Sequence, residues 1–286
     1  MSSLRFLCRA SRPLVLGHRG ASAEYPENTL LAFRQAMQGG ADGVEMDVML
    51  CASGEPVVVH DDDLGRVTGG QVGSGPDVRS SSLGELQRHD VGRGERVPTL
   101  VKVLEALGDD CLINIELKSR DVKTAADYTA LRHDDGLASA VAEVLRRGRR
   151  PPGTTLVSSF DPFQLWRFAR AAADLLQTRQ LPLAYLFHRD QARPLREAWL
   201  SSLLPLRALH PDAALIDAVA MRRWRTQGYF VHTWTVDAPS EIAALSALGV
   251  DAIITNTPAV ARACVTATAS AATTAPPAAA PISLSP

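Results

Sequence analysis

Residues 43–60 read GVEMDVMLCASGEPVVVH, and they decide the fold. From Gly43 to Leu50 the chain alternates: Val44, Met46 and Val48 fall on one face, Glu45 and Asp47 on the other, which is the period of a strand. Residues 57–60 read as a second strand. Only residues 51–56 lie between the two, whereas a parallel crossover needs about a dozen residues or more. The pair is therefore expected to form an antiparallel hairpin.

Outward from this hairpin the chain alternates between strand and helix. Strand candidates fall at 14–17, 43–50, 57–60, 112–117, 155–158, 182–187, 208–210, 231–236 and 252–255. Between them lie amphipathic segments with start and stop signals. Asn28 caps a helix over 29–38 that stops at Gly39 and Gly40, and Pro98-Thr99 opens another that runs to Leu107. Leu137, Val141, Val144 and Leu145 share one helical face, and Asp161-Pro162 supplies an N-cap and N1 proline, with Gln164 expected to complete a capping box. Short helices are read at 214–227, 240–248 and 258–264. Such alternation implies a parallel sheet with right-handed crossovers. Setting one hairpin arm aside leaves eight strands, the number that closes a (β/α)8 TIM barrel. A nine-stranded open sheet is the alternative.

This places a barrel domain over 14–264, behind an N-terminal extension at 1–13. Residues 265–286 hold only Ala, Val, Thr, Ser, Pro, Ile and Leu, without a charge, and are expected to be a disordered tail. Residues 61–97 form a long glycine-rich excursion after a strand, broken by a short capping-box helix at Ser82 to Glu85, and read as a lid.

Composition narrows the function classes. With 46% hydrophobic and 21% charged residues in 286, the bulk of the chain belongs to neither the disordered nor the membrane class. A formal net charge of -1 offers no basic surface for nucleic acid. No run approaches the roughly 18 apolar residues of a membrane span, so no stable membrane insertion is expected. Cys8, Cys51, Cys111 and Cys264 stand far apart, without metal spacing or a disulfide framework, and the N-terminus lacks an apolar signal core, which points to the reducing cytoplasm. Nothing in the sequence indicates a protein partner.

Chemistry concentrates at strand ends. In a barrel the apolar face of residues 43–50 packs on helices, so Glu45 and Asp47 point inward. By the same alternation Asn114, Glu116 and Lys118 share the inner face of the next strand. Three carboxylates then converge where one lysine cannot neutralise them, and hard oxygen donors of this kind suit Mg2+ or Ca2+. The plain alternative is a buried ion-pair network with Lys118 and Arg19. His18 and Arg19 end the first strand, and His60 ends the hairpin strand. A turn centred between Ser53 and Gly54 would set His60 across from Asp47. A histidine after a strand is more often structural, but two beside three acids and two cations suit proton transfer on either side of a phosphorus.

The stretches LGHRGASAEYPENTLLAFRQAMQGGADGVEMDVML and GEPVVVHDDDLGRVTGG, with NIELK, VSSFDP and HTWTVD further on, resemble the glycerophosphodiester phosphodiesterase family over about residues 14–263. The resemblance implies a barrel of the phosphatidylinositol phospholipase C-like type and a compact bacterial form, since the segment after the HD motif is short. It implies acid/base roles for His18 and His60, a divalent metal on Glu45, Asp47 and Glu116, phosphate contacts from Arg19 and Lys118, and Trp234 in the substrate pocket. Glu27 and Asn28 are read as a helix cap. One departure is Asn256 in IITN, where relatives often carry an acid; it is placed outside the residues touching metal or substrate. The implied activity is hydrolysis of small-molecule glycerophosphodiesters to sn-glycerol 3-phosphate and an alcohol. A lysophospholipase D and a non-catalytic phosphodiester-binding barrel are the alternatives.

Overall fold

Eight parallel strands close into a barrel in the computed structural model, which describes residues 5–7, 11–71, 73–119, 134–148, 150–178, 181–191 and 203–274. The ring runs β1 (Leu14–His18), β2 (Gly43–Leu50), β4 (Leu112–Leu117), β5 (Thr155–Ser159), β6 (Leu183–Phe187), β7 (Leu206–Pro211), β8 (Phe230–Thr233) and β9 (Ala252–Thr255), and β9 returns to β1. β3 (Pro56–Val58) lies outside the ring and pairs antiparallel with β2. The open-sheet alternative is thereby excluded.

Hydrophobic alternation explains the layers. The outward faces of the strands and the inward faces of the helices form one large core, including Val15, Val44, Met46, Val48, Ile113, Ile115 and Phe168, each fully buried. Inside the barrel the lower layer is apolar: Leu14, Leu16, Leu112, Leu156, Ala184, Ala208, Ala252 and Ile254. It is plugged from below by Phe6, which sits on a short 3-10 turn, Arg5–Leu7, and stacks on His232 at 5.9 Å. Phe6 and Leu7, from the segment read as an extension, thus complete the barrel floor. At the base, Asp42 holds Arg12 at 2.9 Å and Arg262 at 2.6 Å, tying the chain start to the last helix. Gly43 is required where β2 meets β4, because a Cβ there would collide with the Leu112 carbonyl.

Several local expectations shift. The hairpin register is Val48↔Val58, and Cys51 N–H bonds the Glu55 carbonyl, so the turn centres on Ser53 alone. Val59, and not His60, therefore stands opposite Asp47 and donates its N–H to the Asp47 carbonyl at 3.0 Å. Thr29, and not Asn28, caps helix Leu30–Gln38. Asp161 caps helix Pro162–Ala171 alone, because the Gln164 amide donates to Asp135 at 3.0 Å. The last helix, Pro258–Thr274, continues past Cys264 into the stretch read as tail; residues 275–286 lie outside the described residues.

The excursion over 61–97 has a core of its own. Leu64, Val78, Leu86, Val91 and Val97 bury against Met49, Cys51, Val57 and Val59 on the hairpin. The capping box at Ser82 and Glu85 forms as expected.

Above the apolar floor, one step toward the strand ends, stand His210 and His232, fully buried with ring centroids 4.8 Å apart and, among the described residues, no hydrogen-bond partner on either ring. Burial pushes His232 down to about 3 and His210 well below the usual imidazole value. Both stay neutral while folded. The unfolded chain takes up protons first, near pH 6.5, so the stability these groups permit is fully present above that pH and falls as pH drops toward 3. His232→Phe should therefore flatten the acid limb between pH 6 and 4 by up to about 1.4 kcal/mol per pH unit, measured by urea unfolding in EDTA. An unchanged limb would contradict this account.

Candidate active site

The C-terminal ends of β1, β2 and β4 set the site. β2 and β4 run in register with Glu45 beside Asn114 and Asp47 beside Glu116, so alternation delivers all three carboxylates to the barrel interior. They are buried, at 3%, 1% and 8% exposure, and offer oxygens within 4.8 Å of one another. Two cations face them. Lys118 reaches Glu116 at 3.1 Å and Asp47 at 3.5 Å, and Arg19 Nε lies 3.2 Å from Asp47.

This charge balance explains the protonation preferences. Burial, aided by Asp47 and Glu116, drives the Glu45 carboxyl well above the usual range, and the nearby Arg19 offsets only part of that. Burial likewise raises Glu116, with Lys118 opposing and Asp47 adding. For Asp47 burial also works upward, but Lys118, Arg19 and His60, with a hydrogen bond from Asn28, overcome it and hold the carboxyl below its usual value. Burial would lower Lys118, yet Glu116 and Asp47 raise it, so the ammonium is secure. Among the described residues three acids thus face two cations. One oxygen of Glu45, Oε1, is buried without a partner. Both features fit an oxygen-preferring divalent cation.

The backbone is bent to build this cluster. Arg19 and Asn28 adopt left-handed φ of 54° and 57°. The bend at Arg19 turns its N–H onto Glu45 at 3.0 Å. Gly20 follows at φ 89°, packed so closely on Ala32 that a side chain has no room. Asn28 is more than the helix cap read from sequence: its amide donates to Asp47 Oδ2 at 2.9 Å and accepts from the Asp47 N–H at 3.3 Å. Glu27 is likewise recruited, bonding Arg19 at 3.0 Å and Arg66 at 2.7 Å. Only strain at Asn28, invisible in composition, separates this role from ordinary capping.

His18 lies against the cluster, and His60 is near enough for its charge to act on Asp47 and Glu116. His18 Nε2 lies 4.0 Å from Glu45, and burial, with the Arg19 guanidinium, lowers the imidazole to about 4. Its other nitrogen contacts Asn256 Oδ1 at 2.7 Å, so the residue placed outside those touching metal or substrate supports the histidine from behind. His60, at the end of the hairpin, is held through Nδ1 by Asp61 at 2.7 Å, and Asp61 is in turn held by Arg66 at 2.7 Å.

Trp234 follows β8 at the same end of the barrel. It packs on the interior apolar cluster, donates Nε1–H to the His210 carbonyl at 2.9 Å and meets Phe160 edge-on at 5.3 Å. A cavity of about 350 Å3 opens beside His18 and Arg19, lined also by Ser22, Ala23, Glu27, Asp237 and Asn256.

The Glycerophosphoryl diester phosphodiesterase family matches residues 18–260 of this chain. A glycerophosphodiester phosphodiesterase of Caldanaerobacter subterraneus is 34% identical over 86% of this chain and 95% of its own length. A solved phosphodiesterase of Oleispira antarctica, in complex with the product sn-glycerol-3-phosphate, superimposes with a TM-score of 0.72 at 27% identity, covering 89% of this chain and 97% of that one. The glycerophosphodiester phosphodiesterase of Thermotoga maritima gives 0.62 at 30% identity, over 87% and 96%.

The crowding of carboxylates sets a measurable sign. For a carboxylate raised on folding, destabilisation is absent below the unfolded value and complete once pH exceeds the folded one. In EDTA at pH 8, Glu45→Gln should therefore unfold at higher urea than the wild type, by on the order of 1 kcal/mol or more. Equal or lower stability would mean that the carboxylates are already balanced.

Proposed function

The chain belongs to the glycerophosphoryl diester phosphodiesterase family and is a phosphoric diester hydrolase, and on that footing we propose that it hydrolyses glycerophosphodiesters to sn-glycerol 3-phosphate and an alcohol by His18/His60 acid-base catalysis. The observation that carries the reading is the convergence of two imidazoles, two cations and three carboxylates at one end of the barrel.

In this reading Arg19 and Lys118 bind the non-bridging phosphate oxygens. His18, neutral because it is buried beside a guanidinium, accepts the proton of the attacking oxygen at Nε2. His60 delivers a proton to the departing alkoxide oxygen, with Asp61 fixing its ring through Nδ1. The P–O bond to the alcohol breaks as the new P–O bond forms, and the two histidines exchange protonation states. Glu45, Asp47 and Glu116 would hold Mg2+ or Ca2+, which when bound supplies Lewis-acid polarisation of the phosphate.

Water-soluble, deacylated diesters fit best. The cavity beside His18 is polar apart from Ala23, and the described apolar side chains of the excursion pack in or against its own core. Phe187 is buried against Trp224 and Tyr185 and so offers no surface on which to recover the roughly 0.8 kcal/mol per methylene of an acyl chain. Among the described residues no helix is long and apolar enough to cross a membrane. A cytoplasmic setting is part of the proposal and rests on the free thiols Cys51, Cys111 and Cys264.

Glycerol 3-phosphate release from glycerophosphocholine and glycerophosphoethanolamine, with Mg2+ and Ca2+ compared, tests the assignment. Chelation should abolish turnover. His18→Ala and His60→Ala should each lower kcat by about two to four decades with the fold intact by circular dichroism. Wild-type turnover in either variant, or in excess EDTA, would sink the mechanism. A higher kcat/KM for lysophosphatidylcholine, measured below its micelle threshold, would overturn the substrate choice.

A further inference from the structure

His18 is oriented from behind by groups outside the family of charges already described. Asn256 follows β9, and Asp237 lies in the loop after β8. Asp237 accepts three hydrogen bonds: its Oδ1 from the Asn256 backbone N–H at 2.7 Å and from Thr255 Oγ1 at 2.9 Å, and its Oδ2 from Asn256 Nδ2 at 2.7 Å. An ionised carboxylate can only accept, so the Asn256 amide cannot turn over without setting two acceptor oxygens 2.7 Å apart. Its oxygen must therefore face His18, where it also lies 2.8 Å from Ser22 Oγ, whose one proton is shared with the His18 carbonyl at 2.7 Å. An amide oxygen is likewise only an acceptor. The His18 nitrogen 2.7 Å away must then be the donor.

We propose that Asn256 and Asp237 are positioning residues that fix His18 as its Nδ1–H tautomer, leaving the Nε2 lone pair facing the acidic cluster where the attacking oxygen is deprotonated. The inference rests on the reading of His18 as the base. The direction of every bond in the relay is set by one carboxylate that touches neither the imidazole nor the three clustered acids. It also accounts for the amide at position 256. A carboxylate there would stand against Asp237 at hydrogen-bond distance, and one of the two would have to be protonated. With Asp237 supplying the charge one residue further back, a neutral amide carries the orientation and leaves the imidazole uncharged.

The test combines kinetics with a readout independent of turnover. Protein labelled with 15N-histidine is examined by long-range 1H–15N correlation at pH 8, His18 being identified by its loss in His18→Gln. The wild type should display Nδ1–H at His18. Asn256→Leu and Asp237→Asn should shift the ring toward the Nε2–H form that free side chains favour, and should lower kcat about 10- to 100-fold with KM nearly unchanged. If Asn256→Leu does not fold, Asp237→Asn carries the test, since it is isosteric and removes the charge and the acceptor-only character that set the bond directions. Nε2–H in the wild type, or an unchanged tautomer in Asp237→Asn, would overturn the relay. A changed tautomer with unchanged kcat would leave the relay's geometry standing and refute its role in positioning the base. Failure of the underlying reading is separately visible, as full activity in His18→Gln.

Discussion

Mutual repulsion among Glu45, Asp47 and Glu116 is the constraint around which this end of the molecule is built. The parallel register of β2 and β4 forces the three carboxylates inward at adjacent levels, and burial removes the water that would otherwise screen them. What surrounds them follows from that. Arg19 sits in a left-handed conformation and presents both its N–H and its guanidinium to the acids. Asn28, equally strained, spends both ends of its amide on Asp47. Such backbone costs of order 1–3 kcal/mol each and persists only where the surroundings over-determine it. Here Gly20, packed on Ala32, and the Thr29 cap pin the chain on either side of the strained turn.

Much of the architecture was legible because it depends on periodicity. Alternation in residues 43–50 gave the inward carboxylates, and the shortness of 51–56 separated the hairpin from the ring, so that eight strands remained to close. Terminal details depended on competition between nearby partners. Asn28 and Thr29 are both good caps, and the carboxylate of Asp47, distant in sequence, decides between them. Gln164 has the spacing of a capping box but finds Asp135 instead. The hairpin register differs by one residue because the turn centres on a single residue, which a pattern of alternating side chains does not reveal.

The contact between Asn256 and His18 was hidden for a different reason. The two are joined only when β9 closes against β1, a consequence of barrel closure with no local signature. The same holds for His210 and His232, whose side chains meet because β7 and β8 are neighbours. Charged or catalytic residues announce themselves by type; neutral amides and core imidazoles do so only in three dimensions.

The small core under residues 61–97 has a mechanical consequence. β3 belongs to no ring, and its apolar face is covered by Leu64, Val78, Leu86, Val91 and Val97, so the barrel closes without it. His18 is carried by a strand hydrogen-bonded on both sides, whereas His60 and Asp61 ride at the margin of this separate cluster. The two imidazoles thus stand on different packing clusters, joined through β2 and β3. Opening of the smaller one would break, besides its own apolar contacts, the Val59 N–H bond to the Asp47 carbonyl and the Arg66 bonds to Glu27, so the cluster that carries His60 is tied directly to the acids and to the turn that holds Arg19.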